Sequence, residues 1–242
     1  MKTKYDIINS DVLLITDIQK DFLPGGSLPI EGGDELIPVL NAYIKRFVDA
    51  KAHVFASRDW HPSNHISFKP QGGPWPPHCV QDTEGAKFSP DLKISAVIGV
   101  ISKATNPELE SYSVFDGTNF AHELEMCEAK RLFVGGLATD YCILNTVLDA
   151  RKLGYEIVVL TDATLGINVE PGDVDRAFAT MFKAGAKQAT NEDFPDAVDN
   201  LPIEETAPDS IAEKPSERAE VKKKARMRSR GPNRQVRTEH KS

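Results

Sequence analysis

Leu132-Phe133-Val134-Gly135-Gly136-Leu137-Ala138-Thr139-Asp140-Tyr141-Cys142 reads as an apolar strand running through a turn into a helical segment that carries a cysteine. A thiol placed there faces helix N-terminal N–H groups, which favour its thiolate and lower its pKa. Working outward, other apolar runs of strand length recur with amphipathic, helix-length segments between them. That alternation predicts a mostly parallel sheet covered on both faces. Strands are expected near 11–17, 52–58, 97–103, 131–136, 156–161 and 186–190. Helices are expected over 33–50, 118–129, 140–153 and 173–184, two of them stopping at Gly154 and Gly185. The fold class is therefore α/β, a doubly wound six-stranded sheet in a three-layer α/β/α arrangement.

Composition narrows the function classes. The chain has 242 residues and a formal charge of −7, unevenly spread. Between Glu213 and Ser242 eleven Lys or Arg face four Glu, so the body is acidic and the end basic. We expect a domain over 1–200 and a charged, disordered tail over 201–242. Three cysteines, Cys79, Cys127 and Cys142, without CxxC pairing argue against a disulfide framework or zinc knuckle and fit a reducing cytoplasm. No apolar run approaches the roughly 20 residues that span a bilayer, and no signal-peptide core follows Met1, so a soluble, unexported protein with no membrane partner is expected. The run from Lys222 to Arg230 is dense enough to meet phosphate, but the acidic body and the lack of interleaved aromatics argue against nucleic-acid binding.

In a parallel sheet ligands gather beyond the carboxyl ends of the strands. Asp17, Asp59, Lys103 and the Ala138–Cys142 turn all fall at predicted strand ends. As a general base Asp17 takes the Cys142 proton and later returns it to a leaving amine, while Lys103 holds Cys142 and orients Asp17. In isolation Asp17 is equally a turn or capping aspartate and Lys103 a solvated edge charge. Asp59 and His61, with His78 brought opposite by the Pro-rich segment 60–90, make a set that suits one divalent ion, Zn²⁺, Fe²⁺ or Mn²⁺, with positions left for water. Histidines that merely pack a loop remain the other reading. His65 is read as a hydrogen-bonding neighbour rather than a ligand. Phe22, Trp75 and Tyr112 are candidate walls for a flat ring, or ordinary lid packing.

Asp17-Ile18-Gln19-Lys20-Asp21-Phe22, Arg58-Asp59-Trp60-His61-Pro62-Ser63-Asn64-His65, Trp75-Pro76-Pro77-His78-Cys79-Val80 and Gly136-Leu137-Ala138-Thr139-Asp140-Tyr141-Cys142 together resemble the nicotinamidases, nicotinamide/pyrazinamide amidohydrolases of the isochorismatase-like hydrolase superfamily. The resemblance runs from about residue 10 to 195. It implies a catalytic Asp17, Lys103 and Cys142, metal ligands Asp59, His61 and His78, and Phe22 and Trp75 about a pyridine ring. It also implies a cis Leu137–Ala138 peptide and an oxyanion hole from the N–H groups of Ala138 and Cys142. The activity implied is hydrolysis of nicotinamide to nicotinic acid and ammonia in NAD salvage, and of pyrazinamide, with zinc the favoured metal. Homo-oligomers occur in such a family. Two rivals stay open: a related amidohydrolase acting on ureido or carbamoyl amides, and a nucleic-acid-associating protein working through its tail.

Overall fold

The computed structural model describes residues 5–195, which lie within the first of two units of the chain, Met1–Ala197. The tail expected over 201–242 falls outside the described residues. Strands β1 (Asp11–Thr16), β2 (His53–Asp59), β3 (Gly99–Lys103), β4 (Arg131–Leu137), β5 (Glu156–Leu165) and β6 (Lys187–Ala189) form one sheet in the order β3-β2-β1-β4-β5-β6. All five pairings are parallel, which sharpens the mostly parallel expectation. β1 occupies the middle, and its residues Asp11–Thr16 are all buried. A near-continuous apolar run is what a strand covered on both faces requires.

Alternate side chains serve two cores. Leu13, Ile15, Val54, Ala56, Phe133 and Val158 pack on one face against helix α1 (Leu36–Asp49), whose buried Leu36, Ile37, Leu40, Tyr43, Ile44 and Phe47 recur at helical spacing. Pro38 sits in the first turn of α1, where a missing N–H costs nothing because those donors lack helical partners. Val12, Leu14, Phe55, Leu132, Val134 and Val159 face the other way, toward α2 (Phe120–Met126), α3 (Leu144–Lys152) and α4 (Asp173–Lys183). The helices α3 and α4 stop ahead of Gly154 and Gly185, both at positive φ as a left-handed helix terminator demands. Among the described residues no helix is long and apolar enough to cross a membrane.

Two elements depart from the sequence reading. β5 runs to Leu165 rather than 161, because its register against β4 slips between Val134 and Gly136 and then resumes at Thr164 and Leu165. The helix expected from 140 opens with a π turn over Thr139–Ile143, in which the Ile143 N–H reaches back to the Ala138 carbonyl at 3.0 Å. The segment 60–90 holds only one short 3-10 turn, Lys69–Gln71, and isolated bridges such as His61 with Val80 and Phe68 with Trp75. Its prolines and glycines forbid more.

The chain leaves β1 toward β2 and β3 on one side and returns on the other to β4, so the topological switch lies between β1 and β4. There Gly136 has φ +119°, and an added Cβ would run into the backbone of Thr16. Gly136→Ala should destabilise the fold by about 3 kcal/mol, combining backbone strain with overpacking. Urea unfolding checks this, and a change below about 0.5 kcal/mol, the ordinary effect of a surface change, contradicts it.

Candidate active site

Asp17 follows β1, Asp59 ends β2, Lys103 ends β3 and Cys142 lies in the turn after β4, so parallel strands deliver all four to one rim. They meet there. Lys103 Nζ lies 2.9 Å from Asp17 Oδ2, 3.3 Å from Cys142 Sγ, and in direct contact with Asp59 Oδ1. Side-chain donor atoms of Asp17, Asp59 and Cys142 all lie within 4.8 Å of one another. Asp17 adopts φ +52°, and its Oδ1 accepts from the Ser57 hydroxyl at 2.7 Å. Its Oδ2 faces the ammonium and has no other partner among the described residues.

Electrostatics assigns the protons. Burial, reinforced by Asp59, raises the Asp17 carboxyl above the usual carboxylate range even though Lys103 and Ser57 pull it down. Lys103 stays charged: burial disfavours its ammonium, but Asp17, Asp59 and Cys142 together outweigh that cost. The Cys142 thiol departs from the sequence reading. Burial drives its pKa well above the ordinary value, Lys103 opposes, and Asp17 and Asp59 add to the rise. A turn that exposes N–H groups cannot deprotonate a sulfur enclosed beside two carboxylates, so the resting group is a thiol that needs a base.

Donor atoms of Asp59, His61 and His78 form a second cluster, also within 4.8 Å of one another. His61 Nδ1 lies 3.1 Å from the His78 carbonyl, and His78 Nδ1 lies 2.8 Å from the Pro76 carbonyl. With Nδ1–H donated in each ring, both Nε2 lone pairs are left for a cation, the arrangement that metal-binding histidines favour. Burial pushes the His61 imidazole down to about 4, so it is neutral as a ligand must be. Burial works against the Asp59 carboxylate, but Lys103, His61 and His78 hold its pKa below the ordinary value. The donor set fits a divalent cation. His65 is different: Nδ1 is 2.7 Å from Ser67 Oγ and Nε2 is 3.0 Å from the Leu109 carbonyl, which engages both nitrogens.

Between the two clusters opens a narrow cleft lined by Phe22, Trp75, Tyr112, Ala138, Cys142 and His78. Trp75 Nε1 donates to the Tyr112 hydroxyl at 3.0 Å, and burial above all raises the Tyr112 phenol to about 12, so it remains a neutral partner. The Leu137–Ala138 peptide is cis. A larger hollow, lined by Asp140, Asp173 and Arg176 among others, holds neither a cysteine nor a histidine.

Sequence reasoning passed over several residues. Tyr141, Leu28 and Ile167 also line the cleft. Gln19 clamps Asp59 at both backbone groups, its Oε1 accepting from the Asp59 N–H and its Nε2 donating to the Asp59 carbonyl, each at 2.7 Å. Asp21 Oδ2 accepts from the Cys79 N–H at 2.7 Å and so pins the strand of loop that carries His78. The motif around Asp17 contained both residues, but nothing local announced their partners.

Residues 11–193 match the isochorismatase domain. The chain belongs to the isochorismatase domain family. Among isochorismatase relatives, the nicotinamidase of Escherichia coli (strain K12) is 40% identical over 203 residues, covering 75% of this chain and 95% of the relative. The crystal structure of Pyrococcus horikoshii pyrazinamidase in complex with zinc shares 48% identity at a TM-score of 0.70, covering 75% of this chain and 99% of that one. PnC1 from L. infantum, in complex with nicotinate, shares 37% identity at a TM-score of 0.72, covering 77% and 96% respectively.

Metal retention separates the histidines of this isochorismatase fold. After dialysis against zinc and desalting, His61→Ala and His78→Ala should retain no stoichiometric metal by atomic emission, whereas His65→Gln should keep a full complement. Loss in His65→Gln equal to that in His61→Ala would contradict the ligand assignment.

Proposed function

We propose that this chain is a nicotinamidase, a metal-assisted cysteine amidohydrolase that converts nicotinamide to nicotinic acid and ammonia in NAD salvage, and pyrazinamide to pyrazinoic acid. One observation carries the reading: the Cys142 sulfur, the Lys103 ammonium and the Asp17 carboxyl converge at bonding distance beside Asp59, His61 and His78, inside an aromatic cleft. Two imidazoles and one carboxylate suit zinc with positions left open, and the zinc complex of the Pyrococcus horikoshii pyrazinamidase supports that choice. A zinc ion held by Asp59, His61 and His78 would supply a Lewis-acidic anchor for the pyridine nitrogen.

The chain's own residues then perform the chemistry. Phe22 and Trp75 hold the flat ring, fixing the carboxamide carbon near sulfur and converting a bimolecular attack into a local one. Asp17 removes the Cys142 proton as sulfur attacks, and its raised pKa suits a group that must both take and give a proton. The oxyanion forms against the backbone N–H groups of Ala138 and Cys142, where single donors are worth roughly 3 kcal/mol. Asp17 passes its proton to the nitrogen, and ammonia leaves a thioester on Cys142. Asp17 next takes a proton from water, which attacks the thioester carbonyl. The C–S bond breaks, nicotinic acid departs, and Cys142 recovers its proton. Throughout, Lys103 stays charged and balances the negative charge as it passes between sulfur and carboxylate.

Cys142→Ala and Asp17→Asn should each lower kcat/KM for ammonia release from nicotinamide by a factor on the order of 10⁴ or more, as removal of a nucleophile or its base does elsewhere. A coupled ammonia assay on nicotinamide, with ureidoacrylate as comparison, checks this. Ammonia release within tenfold of the unaltered protein in Cys142→Ala, or preference for the ureido amide, would reject the reading.

A further inference from the structure

Asp140 stands two residues before the nucleophile, yet its carboxylate turns away from the sulfur. Oδ1 accepts from the Ile167 N–H at 3.0 Å and Oδ2 from the Asn168 N–H at 2.6 Å. Both donors belong to the strap that leaves β5, and Ile167 lines the cleft together with Leu28, Ala138 and Cys142. The strap is shaped to receive this carboxylate. At Gly166 an added Cβ would meet Asp140 Oδ1 at 2.7 Å and also strike the Val174 side chain, so only a glycine lets the backbone lie this close. Asn168 turns the chain at φ +54°, a conformation asparagine tolerates better than most residues. A second tie runs parallel to the first: Thr139 Oγ1 is 2.8 Å from Thr164 Oγ1, which donates to the Gly136 carbonyl at 2.9 Å.

We infer that Asp140 is a positioning residue that latches the 166–168 strap to the nucleophile turn, and that Ile167, held by this latch, sets the size of ring the cleft accepts. A carboxylate accepting two backbone N–H groups makes charge-assisted bonds stronger than those of a neutral acceptor. The consequence is a fixed apolar wall at a set distance from Cys142, against which an unsubstituted six-membered ring fits and an alkylated one collides. Discrimination of this kind, made by an apolar wall against added methyl groups, is worth about 10- to 200-fold in kcat/KM. The inference rests on the nicotinamidase reading and adds to it the residues that select the substrate.

The test compares nicotinamide with 5-methyl- and 6-methylnicotinamide in the full-length, zinc-loaded protein, with kcat and KM measured separately. Ile167→Ala should raise the ratio of kcat/KM for at least one methylated amide over nicotinamide by about tenfold or more. Gly166→Ala, which pushes the strap off an intact Asp140, should move the same ratio in the same direction. Asp140→Asn, which keeps one acceptor oxygen, should move it less than Asp140→Ala, mainly through KM. An unchanged ratio in Ile167→Ala overturns the wall. A shift in Ile167→Ala with none in Gly166→Ala and Asp140→Asn overturns the latch, even if Asp140→Ala fails to fold. Absence of nicotinamide turnover in the unaltered protein rejects the proposed function itself, and this inference with it.

Discussion

Lys103 brings an ammonium group to a place that water does not reach, and much of the site is arranged around it. The residue is 1% exposed and touches Asp17, Asp59 and Cys142. A buried charge without partners is costly, and here two carboxylates supply the compensation. The dependence runs both ways. Without the ammonium, Asp17 and Asp59 would face one another in a low-dielectric interior and could not both remain ionised. Lys103 therefore joins Asp17 and Cys142 to the cluster of Asp59, His61 and His78.

The sheet topology makes this junction possible. Four neighbouring strands, β3, β2, β1 and β4, end side by side, and each contributes one member of the cluster at or just past its last residue. Two glycines allow close approaches at the rim: Gly136 against the backbone of Thr16 across the switch between β1 and β4, and Gly166 against the Asp140 side chain beside the turn that carries Cys142. Loop residues then adjust the fit. Gln19 holds the backbone of Asp59, Asp21 holds the backbone beside His78, and Asp140 holds the strap that carries Ile167. Each is a polar side chain whose partners lie on a different segment of the chain.

That division also explains what was legible in the sequence. The strands were readable because β1 and β4 are apolar runs, the first followed directly by Asp17 and the second by the turn that carries Cys142, and α1 shows its buried face at helical spacing. Asp17, Asp59, Lys103 and Cys142 could be placed on one rim because strand ends in a parallel sheet share an edge. For His65 the sequence offered only its spacing, whereas the contacts of its two ring nitrogens, with Ser67 and the Leu109 carbonyl, needed the folded chain in place. The thiol's raised pKa ran against expectation because a local rule about helix starts does not register burial or carboxylates arriving from β1 and β2. Gln19, Asp21 and Asp140 looked like ordinary motif polars, since their partners lie far away in sequence. The extension of β5 to Leu165 depended on a register slip against β4 that no property of the strand itself foretells.

The central claim is that one buried cation, Lys103, couples Asp17 to the rest of the site. A double-mutant cycle on Asp17→Asn and Lys103→Met, followed by urea unfolding in chelator, tests it most directly. Lys103→Met alone should destabilise the protein by about 3–5 kcal/mol, because it strands buried carboxylates. The double variant should recover about 1–3 kcal/mol of the summed single losses. Strictly additive losses, or a Lys103→Met protein as stable as the parent, would contradict the account.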